Sequence, residues 1–65
     1  MQIKINGKSE EITPCTIAQL VDQRGLNPRS LVVEHNLNII KQDQWPEIKL
    51  TEGDTLELLS VVGGG

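Results

Sequence analysis

Polarity alternates from the first residues of the chain. Ile3 and Ile5 alternate with Gln2 and Lys4, the period of a strand with one buried face. Asn6-Gly7 follows, the dipeptide that best tolerates the two positive φ angles of a type I′ turn. Lys8 to Ile12 return as the partner strand, polar enough to lie at a sheet edge. Thr13-Pro14 ends that strand, because proline has no N–H for a ladder. Thr16 is placed to cap a helix, with Gln19 three residues on completing a capping box. Ile17, Leu20, Val21 and the aliphatic stem of Arg24 recur at i, i+3, i+4 and i+7, on one helix face. Gly25 stands where a helix ends in a left-handed residue. A helix of about two turns does not persist alone and must lean on a sheet.

Beyond Asn27-Pro28, Leu31-Val32-Val33 predict a third strand. A tight connection through His35-Asn36-Leu37-Asn38 leads to a short apolar pair, Ile39-Ile40. Lys41 to Glu47 are polar except for Trp45 and are closed by Pro46, which suits a loop or single turn anchored by the indole. That lone aromatic is the largest apolar side chain the core can use, so it is placed as a structural lid. Ile48 and Leu50 suit an extended segment, Glu52-Gly53-Asp54 a turn, and Thr55 to Val62 the last and most apolar strand. Strand, strand, helix, strand, short strand, strand is an α+β order, with one mixed sheet of four to five strands curling round one helix.

Sixty-five residues hold one small domain, and a chain this short buries only about 60% of the surface its unfolded form exposes. Hydrophobic residues make up 37% and charged residues 23%, which sets the chain apart from disordered tails. The net charge of −3 argues against grip on nucleic-acid phosphates through many Lys and Arg contacts. The lone Cys15 cannot close an internal disulfide, the N-terminus alternates where a signal peptide would run apolar, and no apolar run approaches a bilayer span. A soluble, cytoplasmic domain is expected, without a nucleic-acid or membrane partner.

Ordinary catalytic constellations find little here. A Cys15/His35 pair would need a third group to orient it, and no local spacing supplies one. Metal binding needs three or four donors, and Glu34 and His35, adjacent on a strand, point to opposite faces. Glu10 and Glu11 fall on the polar edge strand, where charge blocks edge-to-edge aggregation. Gly7 and Gly53 lie in turns between strands and open no phosphate loop. No enzyme is expected.

The end of the chain differs. Leu58-Leu59-Ser60-Val61-Val62 runs directly into Gly63-Gly64-Gly65. A frayed or appended end is the plain account of such glycines. The chemical one is that residues without Cβ lie extended in a narrow channel where any side chain would clash. The Gly65 carboxylate would then be unhindered, open to activation as an acyl adenylate and to attack by a nucleophile.

The Asn6-Gly7 hairpin, the helix around Ile17-Ala18-Gln19-Leu20-Val21, Gln44-Trp45, Glu52-Gly53-Asp54-Thr55-Leu56 and the Val61-Val62-Gly63-Gly64-Gly65 ending together resemble the ThiS-type sulfur carriers of thiamin biosynthesis, over the whole chain. The resemblance implies a β-grasp, ubiquitin-like fold over residues 1–62, with the last strand inside the sheet and parallel to the first, and a flexible glycine tail over 63–65. It implies that a ThiF-like adenylyltransferase, using ATP and magnesium, adenylates Gly65. Sulfur from the persulfide of a cysteine desulfurase or another donor then leaves a thiocarboxylate, and a ThiG-like thiazole synthase accepts the sulfur. No cofactor is bound permanently, and the chemical role is carried over to the tail glycines alone. Lys41-Gln42 stand where many such carriers have a Pro-Arg pair.

Alternation on the last strand separates Leu56 and Leu58 from Leu59 and Val61. One set packs on the helix, and Leu59 and Val61 are the candidates for an exposed patch beside the tail where a partner docks. Three other functions stay open: a MoaD-type carrier for molybdopterin synthesis, which shares fold and tail; a ubiquitin-like modifier joined to lysine amines, which shares the activated carboxylate; and a noncovalent, TGS-like RNA-associated module of similar size, whose terminus carries no chemistry.

Overall fold

The computed structural model describes residues 1–61; Val62 and the expected tail, Gly63 to Gly65, lie outside the described residues. Strands β1 (Gln2–Ile5), β2 (Lys8–Glu11), β3 (Leu31–His35), β4 (Asn38–Ile40) and β5 (Thr55–Ser60) and one helix, α1 (Ile17–Gln23), follow the predicted order. The strands form one mixed sheet in the order β2-β1-β5-β3-β4. β5 runs parallel to β1, with Ile5 opposite Leu56, and antiparallel to β3, with Val33 opposite Leu58. The last strand therefore lies at the centre of the sheet, the β-grasp arrangement. It ends at Ser60, two residues before the expected end at Val62.

The local signals act as their chemistry requires. Asn6 and Gly7 both take positive φ, 51° and 82°, and join β1 to β2 in a two-residue turn. Gln19 N–H donates to Thr16 Oγ1 at 3.1 Å and Thr16 N–H to Gln19 Oε1 at 2.8 Å, closing the capping box. Gly25, at φ 66°, ends the helix. Its N–H reaches the Asp22 carbonyl while the Leu26 N–H reaches that of Val21, the paired bonds of a Schellman cap.

Ile17, Leu20 and Val21 of α1 bury against Ile3, Ile5, Leu31, Val33 and Leu56 of the sheet, and Trp45 and Leu50 close the sides. Trp45 sits in a 3-10 helix over Gln42–Glu47 and donates its indole N–H to the Ile40 carbonyl at 3.3 Å, which ties this segment to the end of β4. Residues 48–50 run beside 15–17, with Ile17 N–H bonded to the Ile48 carbonyl and Leu50 N–H to that of Cys15.

One expectation is corrected. Arg24 does not lay its stem in the core; it is exposed, and its guanidinium pairs with Glu10 of β2. β2 is an edge as expected, and its second carboxylate, Glu11, pairs with the Met1 amino group at 2.7 Å. Polar partners fourteen and ten positions away in sequence are outside the reach of helix and strand periodicity.

Candidate functional site

The chain leaves the sheet at the end of β5, and three contacts set its exit. Ser60 lies opposite Leu31 of β3. The Val61 N–H then donates to the Ser30 carbonyl at 2.6 Å. Ser30 itself ends a short 3-10 turn, Pro28–Ser30, capped by the Asn27 side chain accepting from Arg29 N–H at 3.0 Å.

On the other side of β5, β1 has already turned away when the strand reaches Leu58. The Asn6 side chain takes its place. Its Oδ1 accepts from Leu58 N–H at 2.7 Å and its Nδ2 donates to the Leu58 carbonyl at 3.3 Å, so one amide extends the parallel ladder by a residue. Asn6 thus serves both the hairpin turn and the approach to the tail, a role its place in the Asn-Gly turn does not signal.

Alternation separates the side chains of β5 as expected. Leu56 is buried and Leu58 half-buried towards α1, while Leu59 is 52% exposed on the open face, and Val61 is 51% exposed two residues on. Both candidate docking residues are thus accessible at the end of the described residues. Gly63, Gly64 and Gly65, the expected site of the chemistry, lie outside the described residues.

At the opposite end of β5 the structure assembles a polar cluster not anticipated from the sequence. Asp54, only 7% exposed, accepts from His35 Nε2 at 2.8 Å, Asn36 Nδ2 at 3.2 Å, Thr51 N–H at 2.9 Å and Thr51 Oγ1 at 3.0 Å. Burial works to raise its pKa, but the hydrogen bonds from His35, from the Thr51 backbone and from the Asn36 and Thr51 side chains outweigh it and hold the carboxyl at about 2. Asn36 carries the bonding on, accepting from Thr55 N–H at 2.9 Å. The cluster locks the β3–β4 turn to the start of β5. The Thr51-to-Asp54 spacing was its one local signal; the His35 partner had none.

His35 is therefore committed to Asp54, and Cys15 is half-buried against the core beside Leu50. No group of three or more His, Cys, Asp or Glu able to hold a metal ion occurs among the described residues. None of their helices is long and apolar enough to cross a membrane.

Comparison with known proteins gives this geometry a context. Residues 3–65 match the model of the ThiS family, a span that includes the three glycines. The sulfur carrier protein ThiS of Bacillus subtilis is 31% identical over 65 residues, covering 97% of this chain and 98% of that one. A thiazole synthase of Paramagnetospirillum magneticum is 30% identical over 66 residues, covering all of this chain, which spans 20% of that protein's length. A crystal structure of the thiamine biosynthesis protein ThiS from Geobacter metallireducens superposes with a TM-score of 0.86 over the whole of both chains at 22% identity, which establishes the shared fold. With its sequence matched from β1 through the terminal glycines and its sheet order that of the fold, the chain belongs to the ThiS family.

Proposed function

We propose that this protein is a sulfur carrier of thiamin biosynthesis, a protein co-substrate and not a catalyst. Its reactive group is the carboxylate of Gly65. A ThiF-like adenylyltransferase, supplied with ATP and magnesium, joins that carboxylate to AMP and releases pyrophosphate. The terminal sulfur of a cysteine persulfide, from a desulfurase or another donor, attacks the acyl carbon and AMP leaves. A thiol then cleaves the acyl disulfide, supplying the two electrons that leave a thiocarboxylate on Gly65, and a ThiG-like thiazole synthase takes the sulfur.

The observation that carries this reading is the family match running through Gly63-Gly64-Gly65, together with a full-length relative named a sulfur carrier. The thiazole synthase that contains a segment like this chain favours thiamin over molybdopterin as the pathway. The fold supports it too. β5 is held on both sides up to Leu58, and at Val61 by Ser30, two residues before the first glycine in sequence. Leu59 and Val61 present apolar surface beside that point for the activating enzyme.

The test is intact mass before and after incubation with the adenylyltransferase, ATP, magnesium and a persulfide donor. A gain of one sulfur less one oxygen, located on Gly65 by fragmentation, is expected, and thiazole synthase should return the mass to its starting value. An unchanged mass, with an enzyme that thiocarboxylates another carrier, would refute the reading.

A further inference from the structure

The chain has four asparagines, Asn6, Asn27, Asn36 and Asn38, and each stands before a different neighbour. Pro28, after Asn27, has no N–H. Leu37 and Ile39 follow the last two with bulky side chains. Asn6 alone precedes a glycine, and it is exposed. An asparagine amide is thermolabile because the nitrogen of the next residue can attack its Cγ, and a successor without Cβ gives that attack its freest approach. Beyond the neighbouring residues, no atom lies within 4 Å of where a Cβ on Gly7 would stand. Against this reactivity the fold sets a restraint. The Asn6 N–H donates to the Leu56 carbonyl at 2.9 Å, and the side-chain Oδ1 and Nδ2 are bonded to the Leu58 N–H and carbonyl at 2.7 and 3.3 Å. Closing a ring on the Gly7 nitrogen expels Nδ2 and turns Oδ1, so neither bond to Leu58 survives it.

We infer that Asn6 is a modification site, converted spontaneously to aspartate or isoaspartate at a rate set by the opening of its bonds to Leu58, and that the conversion permanently releases that end of β5. The Gly7 nitrogen gives up its proton and bonds to Asn6 Cγ, the Cγ–Nδ2 bond breaks, and ammonia leaves with the proton. Water then adds to the succinimide. Opening the ring at Cγ leaves an aspartate. Opening it at the main-chain carbonyl carbon leaves an isoaspartate, whose chain runs on through Cγ. No electrons change hands, and water is the one co-reactant. A local opening suffices, because the bonds sit on an exposed turn. The aspartate keeps an acceptor for the Leu58 N–H but sets a carboxylate oxygen against the Leu58 carbonyl, two acceptors that repel. The isoaspartate adds a backbone atom to the two-residue turn that holds Ile5 opposite Lys8. The modification needs no partner and does not depend on the carrier reading.

The test holds the full chain at mildly alkaline pH, folded in buffer and unfolded in guanidinium chloride, for the same times. Intact mass reads the replacement of NH by O, peptide mapping locates it, and an isoaspartyl methyltransferase labels the isoaspartate. Conversion should centre on Asn6 and run at least about fivefold slower in the folded chain, the factor expected for breaking the bonds to Leu58. The converted chain, separated by its added negative charge, should exchange the Leu58 amide proton about fivefold faster than wild type, with exchange at Leu20 of α1 unchanged. N6D should show the same fast exchange at Leu58, and N6G should show no mass change at this turn. Conversion as fast in the folded chain as in the unfolded one would overturn the control by Leu58. Conversion at Asn36 or Asn38 in preference to Asn6 would overturn the site, and wild-type protection of Leu58 in the converted chain would overturn the release of β5.

Discussion

The Asp54 cluster makes the stability of this domain depend on acid in a way that can be calculated. The folded-state pKa of Asp54 is lowered from 3.8 to about 2. A depressed carboxyl contributes stability that is fully present above its unfolded pKa and is lost as the pH falls through its folded pKa. The window is therefore from about pH 4 down to about pH 2, and the contribution is about 2 kcal/mol. The side chain is only 10% exposed, so solvent screening removes little of it. For a domain of this size that corresponds to a loss of roughly 10 °C in Tm. The perturbation is Asp54→Asn, which keeps the shape but removes the titration. Wild type and variant would be unfolded by urea at a series of pH values between 6 and 2. The variant should be the less stable at pH 6, and the gap should close by about 2 kcal/mol on reaching pH 2. Glu11, whose pKa is also lowered by its hydrogen bond to the Met1 amino group, titrates equally in both chains and cancels in the difference. Parallel curves for the two proteins across that window would refute the assignment of the acid dependence to Asp54.

Three further outcomes are expected. Asn6→Gly keeps the positive φ but loses both bonds to Leu58, so it should cost about 1 kcal/mol; amide hydrogen exchange should quicken at Leu58 more than at Ile3, and equal protection at Leu58 would disprove the clamp. Leu59→Glu should raise the concentration of this chain needed for adenylation without lowering its Tm, since Leu59 packs on nothing in the core; full activity at wild-type concentrations would remove Leu59 from the docking surface. Trp45→Ala should destabilise by about 3–5 kcal/mol, enough to unfold much of so small a domain, whereas Trp45→Phe should retain the fold with a reduced Tm. A Trp45→Ala chain that melts like wild type would show that the indole is no lid.

Much of the fold was legible in short stretches of chain. The Asn6-Gly7 turn, the Thr16/Gln19 capping box, the Gly25 stop and the polarity of β2 all depend on residues within four positions of one another, the range over which backbone sterics and local hydrogen bonds act. Alternation likewise separated Leu59 and Val61 from Leu56 and Leu58 before any strand had a neighbour. The glycines at positions 63–65 need no fold to be recognised, since the missing Cβ is a property of the residue itself.

What only the tertiary structure decided is everything that depends on which strand lies beside which. Asn6 reaches Leu58 across 52 positions of sequence because β5 lies parallel to β1. His35 meets Asp54 because β3 and β5 pair antiparallel with His35 opposite Leu56, and the same register sets Glu34 against Glu57. Arg24 meets Glu10 of the edge strand, fourteen positions away in sequence, because the fold brings the end of α1 to β2. Local periodicity settles which way a side chain faces. The partner it meets there is set by sheet order and register, which arise from burying the core of the whole chain at once.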